Sequence, residues 1–115
     1  MQRLRTIIYV RTQFEAFHRW KEAPTDVLFL RNWHRHIFHV RVDVSVTHDD
    51  RQVEFFQLKR KLDTYLETFT GEKFDYSCEQ LATFVIEHLM ASGYAVTSCE
   101  VNDCLLYTSD AATKA

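Results

Sequence analysis

The sequence predicts one α+β domain in which an antiparallel β-sheet carries two helices on one face. Two segments alternate between apolar and polar residues, two later segments repeat apolar residues at helical spacing, and a last segment alternates more weakly. The predicted order is therefore strand, strand, helix, helix, strand. With 115 residues, of which 46% are hydrophobic, the chain has the length and composition of a single small domain with its own core.

The first two strands follow from a period of two residues. Between Thr6 and His18, the apolar residues of one parity are Ile8, Val10, Phe14 and Ala16. Between His36 and Thr47, the apolar residues of one parity are Phe38, Val40, Val42, Val44 and Val46, and the other parity holds His39, Arg41, Asp43, Ser45 and Thr47. A sheet with one covered face and one wetter face has this pattern. The segment from Lys21 to Arg31, which contains the only proline, is expected to connect the two strands.

Two helices are predicted after the second strand. The apolar stripe of the first consists of Phe55, Leu58, Leu62, Leu66 and Phe69, and that of the second consists of Leu81, Val85 and Leu89. The first helix is expected to end at Thr70 and Gly71. The second is expected to start at Ser77, which has capping-box spacing to Gln80, and to end near Gly93. Residues 95–103 alternate again and form the third predicted strand.

The last segment, CLLYTSDAATKA (104–115), does not fit this plan. It has no clean period, and it ends in small and polar residues. It also resembles the translated adapter sequence that can end gene predictions from environmental reads. We therefore expect the domain to span residues 1–103, residues 104–115 to be a non-native tail, and the native final strand to be lost or replaced.

The charge balance argues against nucleic acid and membrane partners. The formal net charge is −2, which gives no general attraction to nucleic acid or to an anionic membrane surface. No apolar run is long enough to span a bilayer, and the start, MQRLRTIIYV, lacks the cleavage site of a signal peptide. Three cysteines without framework spacing favour a reduced, cytoplasmic setting.

The stretch RNWHRHIFHV (31–40) places three histidines within six positions. His34 and His36 are two residues apart, so both project from the apolar face of a strand. His18 shares the apolar parity of the first strand and lies at its end. If these strands are antiparallel neighbours, the end of the first lies beside the start of the second. Because three neutral imidazoles and an open fourth position form a common catalytic zinc site, we expect zinc at His18, His34 and His36.

The alternative interpretation is that these histidines are hydrogen-bonded core residues, since strands carry His-x-His pairs by chance. The three remaining histidines are not expected to bind the metal. His39 lies on the opposite strand face, His48 lies in a predicted turn, and His88 lies late in the second helix, where it favours the negative end of the helix dipole.

Four motifs together resemble the family of 6-pyruvoyl-tetrahydropterin synthase and 6-carboxytetrahydropterin synthase. They are FEAFHRW (14–20), HRHIFHVRVDV (34–44), VEFFQLK (53–59) and YSCEQLA (76–82), in the family's order and spacing. The resemblance implies the T-fold, in which subunit sheets form a barrel in a homo-oligomer with active sites at subunit interfaces. It also implies zinc binding by His18, His34 and His36.

The resemblance assigns further residues to a pterin-like substrate. In the family, the start of the second helix helps to hold the pterin, and here it carries Ser77 and Glu79. The family's main anchor is a Glu near the end of the third strand, where Asp103 lies closest in this chain. Glu100 has the other parity and ranks below Asp103. A carboxylate suits this task because a pterin edge presents two N–H donors, although helix capping equally accounts for Ser77 and Glu79.

Two departures from the family pattern concern proton transfer. The family's reactive cysteine lies four residues before the first His of H-x-H, and Leu30 stands there. The family's Asp-His pair after the first helix has no counterpart, because LDTYLETFTGEKFDYS (62–77) contains no His. Cys78 is a candidate replacement, since a thiol at a helix N-terminus has a lowered pKa, but a small helix-start residue is the simpler interpretation.

Two functions remain open from the sequence. The first is a zinc-dependent carbon–carbon lyase of the 6-carboxytetrahydropterin synthase type, acting on dihydroneopterin triphosphate in pterin and 7-deazaguanine (queuosine-type) biosynthesis. The second is a catalytically impaired T-fold protein that binds a pterin or purine-like ligand. The three histidines favour the first, and the two departures favour the second.

Overall fold

The computed structural model describes residues 5–103 and 110–113. Its elements are β1 (Thr6–His18), a 3₁₀ helix (Thr25–Arg31), β2 (His34–Val46), α1 (Phe55–Leu66), β3 (Lys73–Phe74), α2 (Cys78–Ala91), β4 (Val96–Asn102) and β5 (Asp110–Thr113). The described strands form one sheet in the order β3-β1-β2-β4-β5. The predicted α+β class and the order of the main elements are confirmed.

The two short strands differ from the prediction. The pair β1–β3 is parallel, so the sheet is not wholly antiparallel, and β3 is too short for any sequence period to reveal it. The strand expected to be lost or replaced has a counterpart in β5, which pairs with β4 in antiparallel orientation. The non-native origin of residues 104–115 stays a prediction, and residues 104–109 and 114–115 lie outside the described residues.

The apolar faces of β1 and β2 coincide because their register is regular. The two strands pair without a shift from Thr6 opposite Val46 to His18 opposite His34. The core consists of this face and the apolar stripes of both helices. Its buried residues that the sequence predicts are Val10, Phe14, Ala16, Phe38, Val40, Val42, Val44, Leu58, Leu62, Leu66, Leu81, Val85 and Leu89. Full burial of one such large side chain stabilises the fold by about 1.5–3 kcal/mol.

The helix ends follow the predicted capping residues in part. Ser77 caps α2 in a capping box with Gln80, and Gly93 follows α2 with a φ of 97°, a left-handed conformation that favours glycine. However, α1 ends at Leu66, before the predicted stop. The amide of Phe69 bonds to the carbonyl of Leu66, so the chain continues in a tighter turn to Gly71.

The second face of the sheet is uncovered in the single chain. It exposes four large apolar side chains, Ile7, Tyr9, Phe17 and Ile37, at 39–49%. Arg41 lies on the same face, with its guanidinium 4.1 Å from the centre of the Tyr9 ring. Among the described residues, no helix combines the length and the apolar character needed to cross a membrane.

Candidate metal and ligand site

The antiparallel pairing brings the three predicted metal ligands together. His18 lies directly opposite His34, and His36 lies opposite Ala16, so all three are on the helix-covered face. The ring centroids of His34 and His36 are 4.3 Å apart. The centroid of His18 is 5.9 Å from that of His34 and 6.4 Å from that of His36. The predicted meeting of the two strand ends is confirmed.

Two backbone carbonyls orient two of the rings. Nδ1 of His34 lies 2.7 Å from the carbonyl oxygen of Asn32. Its Nε2 is buried and has no hydrogen-bond partner among the described residues. Nε2 of His18 lies 2.6 Å from the carbonyl oxygen of Tyr76. Since a carbonyl only accepts, each of these bonds fixes the protonated nitrogen, as second-shell carbonyls do for metal-binding histidines.

Burial acts on the pKa of two of the three imidazoles, those of His18 and His36. It lowers the pKa of His18, and the bond to Tyr76 and the charge of Asp103 oppose the shift. Burial also lowers the pKa of His36, again opposed by Asp103. A metal binds the neutral form of imidazole, so for these two side chains burial favours the form that ligation requires.

The short strand β3 carries the start of α2 to these histidines. Phe74 pairs with His18 in the parallel register, and the amide of Gly71 donates to the carbonyl of Glu15 at 2.8 Å. The following residues then turn into α2. Ser77 Oγ accepts from the amide of Gln80 at 3.1 Å, which confirms its predicted capping role.

One cleft of about 380 Å³ combines most of the predicted site. Its lining residues are His18, Trp20, Leu30, His34, Asp75, Ser77, Cys78, Glu79 and Asp103. His36 is not a lining residue but lies next to one, since its Nε2 is 3.8 Å from Oδ2 of Asp103. Glu100 lies on the other sheet face, as its parity predicts, and lines a different concavity.

Two residues of the cleft were not among the predicted site residues. Asp75 lies 3.1 Å from the Nε of Arg19 and adds a third carboxylate to those of Glu79 and Asp103. Trp20 is 49% exposed and contributes a flat aromatic surface. The sequence gives no signal for Asp75, because it reaches the cleft only through the pairing of β3 with β1. Trp20 directly follows the end of β1 in the motif FEAFHRW (14–20), so its closeness to His18 was accessible from the sequence.

The cleft also contains the two residues that concern proton transfer. Leu30, in the position of the family's cysteine, supplies only an apolar wall. Cys78 lines the same cleft at the first turn of α2 and is buried. Cys99 lies in the core beneath β4, and burial raises the pKa of its thiol to about 12, so it remains a neutral thiol at physiological pH.

A larger concavity of about 690 Å³ lies elsewhere. Its lining includes Arg11, Gln13, His39, Arg41 and Glu100, which belong to the uncovered sheet face. The half-buried imidazoles and the start of α2 do not reach it. The smaller cleft is therefore the candidate site, since its donor groups converge from four separate segments of the chain.

The donor atoms are not arranged as a preformed metal site. Throughout the part of the chain that the structure describes, no group of three or more His, Cys, Asp or Glu side chains is placed to hold a metal ion. In His18 the bond of Nε2 to the Tyr76 carbonyl leaves Nδ1 as the ring nitrogen that is free to accept a metal. Three imidazoles on one tetrahedral zinc have centroids about 5 Å apart, close to the observed spacing. The residue types, the strand positions and the unpartnered Nε2 of His34 fit zinc, and its binding stays a prediction.

Comparisons with known proteins establish the fold. Models of protein families gave no match, and curated protein sequences gave none. Among solved structures, 6-pyruvoyl tetrahydropterin synthase of Caenorhabditis elegans has a TM-score of 0.75 and 13% identity, covering 100% of this chain and 99% of that chain. An uncharacterized protein of Wolinella succinogenes has a TM-score of 0.74 and 15% identity, covering 98% of this chain and 100% of that chain. The predicted T-fold is confirmed, and at these identities the likeness extends to the fold alone.

Proposed function

We propose that this chain is a zinc-binding T-fold protein for a pterin-like small molecule, with little or no lyase activity of its own. The observation that carries the proposal is the single cleft that collects His18, His34, Ser77, Glu79 and Asp103. These residues come from different segments of the chain. The histidines are of the type that binds a metal, and the Ser, Glu and Asp are of the type that hydrogen-bonds to a flat polar ring. The likeness in fold to a pterin synthase supports the same class of ligand.

In this proposal, the chain's own residues bind and orient the ligand. Glu79 is exposed at the first turn of α2 and lines the cleft. Its carboxylate accepts the paired N–H donors of a pterin edge, a charge-assisted bond of the stronger kind. Trp20 offers a face for stacking, and Ser77 fixes the first turn of α2. Zinc, when bound, would polarise an oxygen of the ligand's side chain.

The second candidate is the lyase itself, acting on dihydroneopterin triphosphate to form 6-carboxytetrahydropterin in 7-deazaguanine biosynthesis. The presence of Cys78 in the cleft favours it, since this thiol lies at a helix N-terminus. Leu30 argues against it. General acid–base groups contribute typically about 10²–10⁴-fold to a rate, and Leu30 removes one such group while the missing His removes another.

We further propose a cytoplasmic homo-oligomer in which subunits complete each other's sites. The uncovered face exposes Ile7, Tyr9, Phe17 and Ile37 beside charged residues, a combination that suits burial between subunits around a wet interior. The sheet also ends in two edge strands, β3 and β5, and the backbone groups of a sheet edge can pair with another chain. Residues such as His39 and Arg41 would then face the interior of the barrel.

Equilibrium binding of a pterin to the zinc-loaded protein tests the proposal. We expect a bound pterin to quench the fluorescence of Trp20, and Glu79→Gln to weaken binding at least about tenfold, as loss of a charge-assisted pair does. Glu87→Gln is the matched control, because Glu87 lies on the same helix and outside the cleft. Equal weakening by both variants, or no pterin binding by the parent protein, would refute the proposed ligand site.

A further inference from the structure

Asp75 lies at the end of the candidate cleft where the histidines are. It stands between two residues that contact His18. The ring centroid of Phe74 is 5.6 Å from that of His18, and the carbonyl oxygen of Tyr76 is 2.6 Å from His18 Nε2. Glu79, the proposed anchor of the ring, lies in the first turn of α2, and both carboxylates line the cleft. A flat ligand that is held at Glu79 and extends toward the histidines therefore presents its substituent to Asp75.

The Asp75 carboxylate is held in place by Arg19, which directly follows β1. Nε of Arg19 is 3.1 Å from Oδ1 of Asp75. The central carbon of the same guanidinium lies 4.3 Å from the centre of the Trp33 ring, so the cation is held between an aromatic face and a carboxylate. A partly exposed ion pair contributes little to the stability of a fold. The main effect of this pair is therefore to orient the carboxylate.

The ion pair leaves the Asp75 carboxylate able to accept further hydrogen bonds. Arg19 bonds to Oδ1, whereas an ionised carboxylate has two oxygens with about four acceptor positions. The Asp75 side chain is 49% exposed, so its oxygens are accessible to a ligand in the cleft. An ionised carboxylate accepts hydrogen bonds and cannot donate them. The matching group on the substituent of a ligand is therefore a donor, such as a hydroxyl.

We propose that Asp75 selects ligands whose ring carries a hydroxylated side chain, and that Arg19 is the residue that positions its carboxylate. This inference rests on the proposed function and adds a preference among pterins to the same cleft. Glu79 binds the ring edge that all pterins share, so it does not distinguish one side chain from another. A hydroxyl that donates to the charged Asp75 forms a bond of the stronger, charge-assisted kind. A ligand without the hydroxyl lacks this bond.

Equilibrium dialysis of the full chain with zinc present tests this preference with two ligands. Neopterin carries a hydroxylated side chain, and pterin has the same ring without a side chain. We expect the parent to bind neopterin at least about tenfold more tightly than pterin. Asp75→Ala is expected to lose at least about tenfold of the affinity for neopterin and none of the affinity for pterin.

Variants of Arg19 and a control variant complete the experiment. Arg19→Gln is expected to weaken neopterin binding by less than Asp75→Ala does, and to leave pterin binding unchanged, because the carboxylate remains but is no longer oriented. Arg19→Lys keeps the positive charge and is expected to restore part of the preference for neopterin. Asp26→Ala is the matched control, since Asp26 is an exposed carboxylate on the 3₁₀ helix and outside the cleft lining. It is expected to bind both ligands as the parent does.

The outcomes separate this inference from the proposed function. If the parent binds both ligands with equal affinity, the pterin site stands and the selection by Asp75 is wrong. The selection is also wrong if Asp75→Ala weakens both ligands equally, which is the result of a residue that only supports the cleft, or if it weakens neither. If the parent binds neither ligand, the proposed ligand site fails and this inference fails with it. The comparison of the two ligands on the parent needs no variant, so it holds even if a variant misfolds.

Discussion

Replacing Phe38 by alanine is expected to destabilise the domain strongly, because this side chain supports the core and the histidines together. Phe38 is 0% exposed. Its ring stacks on Phe14 with centroids 5.0 Å apart and lies edge-on to His18 at 5.5 Å. A Phe-to-Ala change in a core costs about 3–5 kcal/mol, which is a large fraction of the roughly 5–15 kcal/mol that stabilises a domain of this kind.

Urea unfolding of the metal-free protein measures this loss, at one fixed protein concentration because an oligomer's stability depends on it. Ile37→Ala is the matched control. Ile37 precedes Phe38 on β2 and is 44% exposed on the uncovered face, so its loss of stability is expected to stay below about 1 kcal/mol. Phe38→Leu keeps most of the volume and is expected to fall between the two.

The reasoning is refuted if Phe38→Ala lowers the free energy of unfolding by less than about 1 kcal/mol. It is also refuted if Ile37→Ala lowers the free energy of unfolding as much as Phe38→Ala does, or more. Either result would mean that β2 presents its other face to the helices. His34 and His36 share the parity of Phe38, so the histidine cluster would then lie on the wrong side of the sheet for the proposed cleft.

Four further outcomes are expected. His36→Ala abolishes stoichiometric zinc binding and His39→Ala leaves it intact, as measured by metal analysis after dialysis; equal loss in both would exclude the predicted ligand set. The protein turns over dihydroneopterin triphosphate poorly or not at all; a rate usual for such lyases would contradict this, and loss of that rate in Cys78→Ser would identify the thiol responsible. Light scattering at micromolar concentration shows an oligomer, and a stable monomer would be inconsistent with the proposed assembly. Alkaline pH destabilises the fold through Cys99, because burial raises the pKa of its thiol from 9.0 to about 12. The stability that comes from keeping this thiol neutral is complete below the pKa of the unfolded chain. It is lost as the pH rises from about 9 toward 12. Denaturant unfolding across that pH range measures the loss of stability. If the stability of Cys99→Ala falls with pH as steeply as that of the parent, the assignment to Cys99 is refuted.

The sequence predicted the long elements because each has its own period. The apolar residues recur over a long stretch in both β2 (Phe38 to Val46) and α1 (Leu58 to Leu66). The buried face of each can therefore be predicted without any tertiary information. The capping box at Ser77 was equally accessible, since it depends on residues three apart. Asp103 was placed in the site by the family resemblance and not by a period, and it lines the same cleft as His18 and His34.

The composition of the cleft could not be read in the same way. Asp75 and Tyr76 reach His18 only because the two residues of β3 pair in parallel with the end of β1. A two-residue strand has no period, and a parallel pairing is set by contacts between residues distant in sequence. The 3₁₀ helix that carries Leu30 to the cleft was likewise predicted only as a connection, since it has no buried residue and hence no apolar stripe.

The hydrogen bond between His18 and the Tyr76 carbonyl decides which ring nitrogen of His18 can hold the proposed zinc. Ligation through Nε2 of His18 requires that this 2.6 Å hydrogen bond is given up. A hydrogen bond of this type contributes a net amount of about 0.5–1.5 kcal/mol. Structural zinc in small peptides binds with about 10–16 kcal/mol. Zinc binding through Nε2 would therefore outweigh the loss of the bond to Tyr76, and binding through Nδ1 would keep that bond.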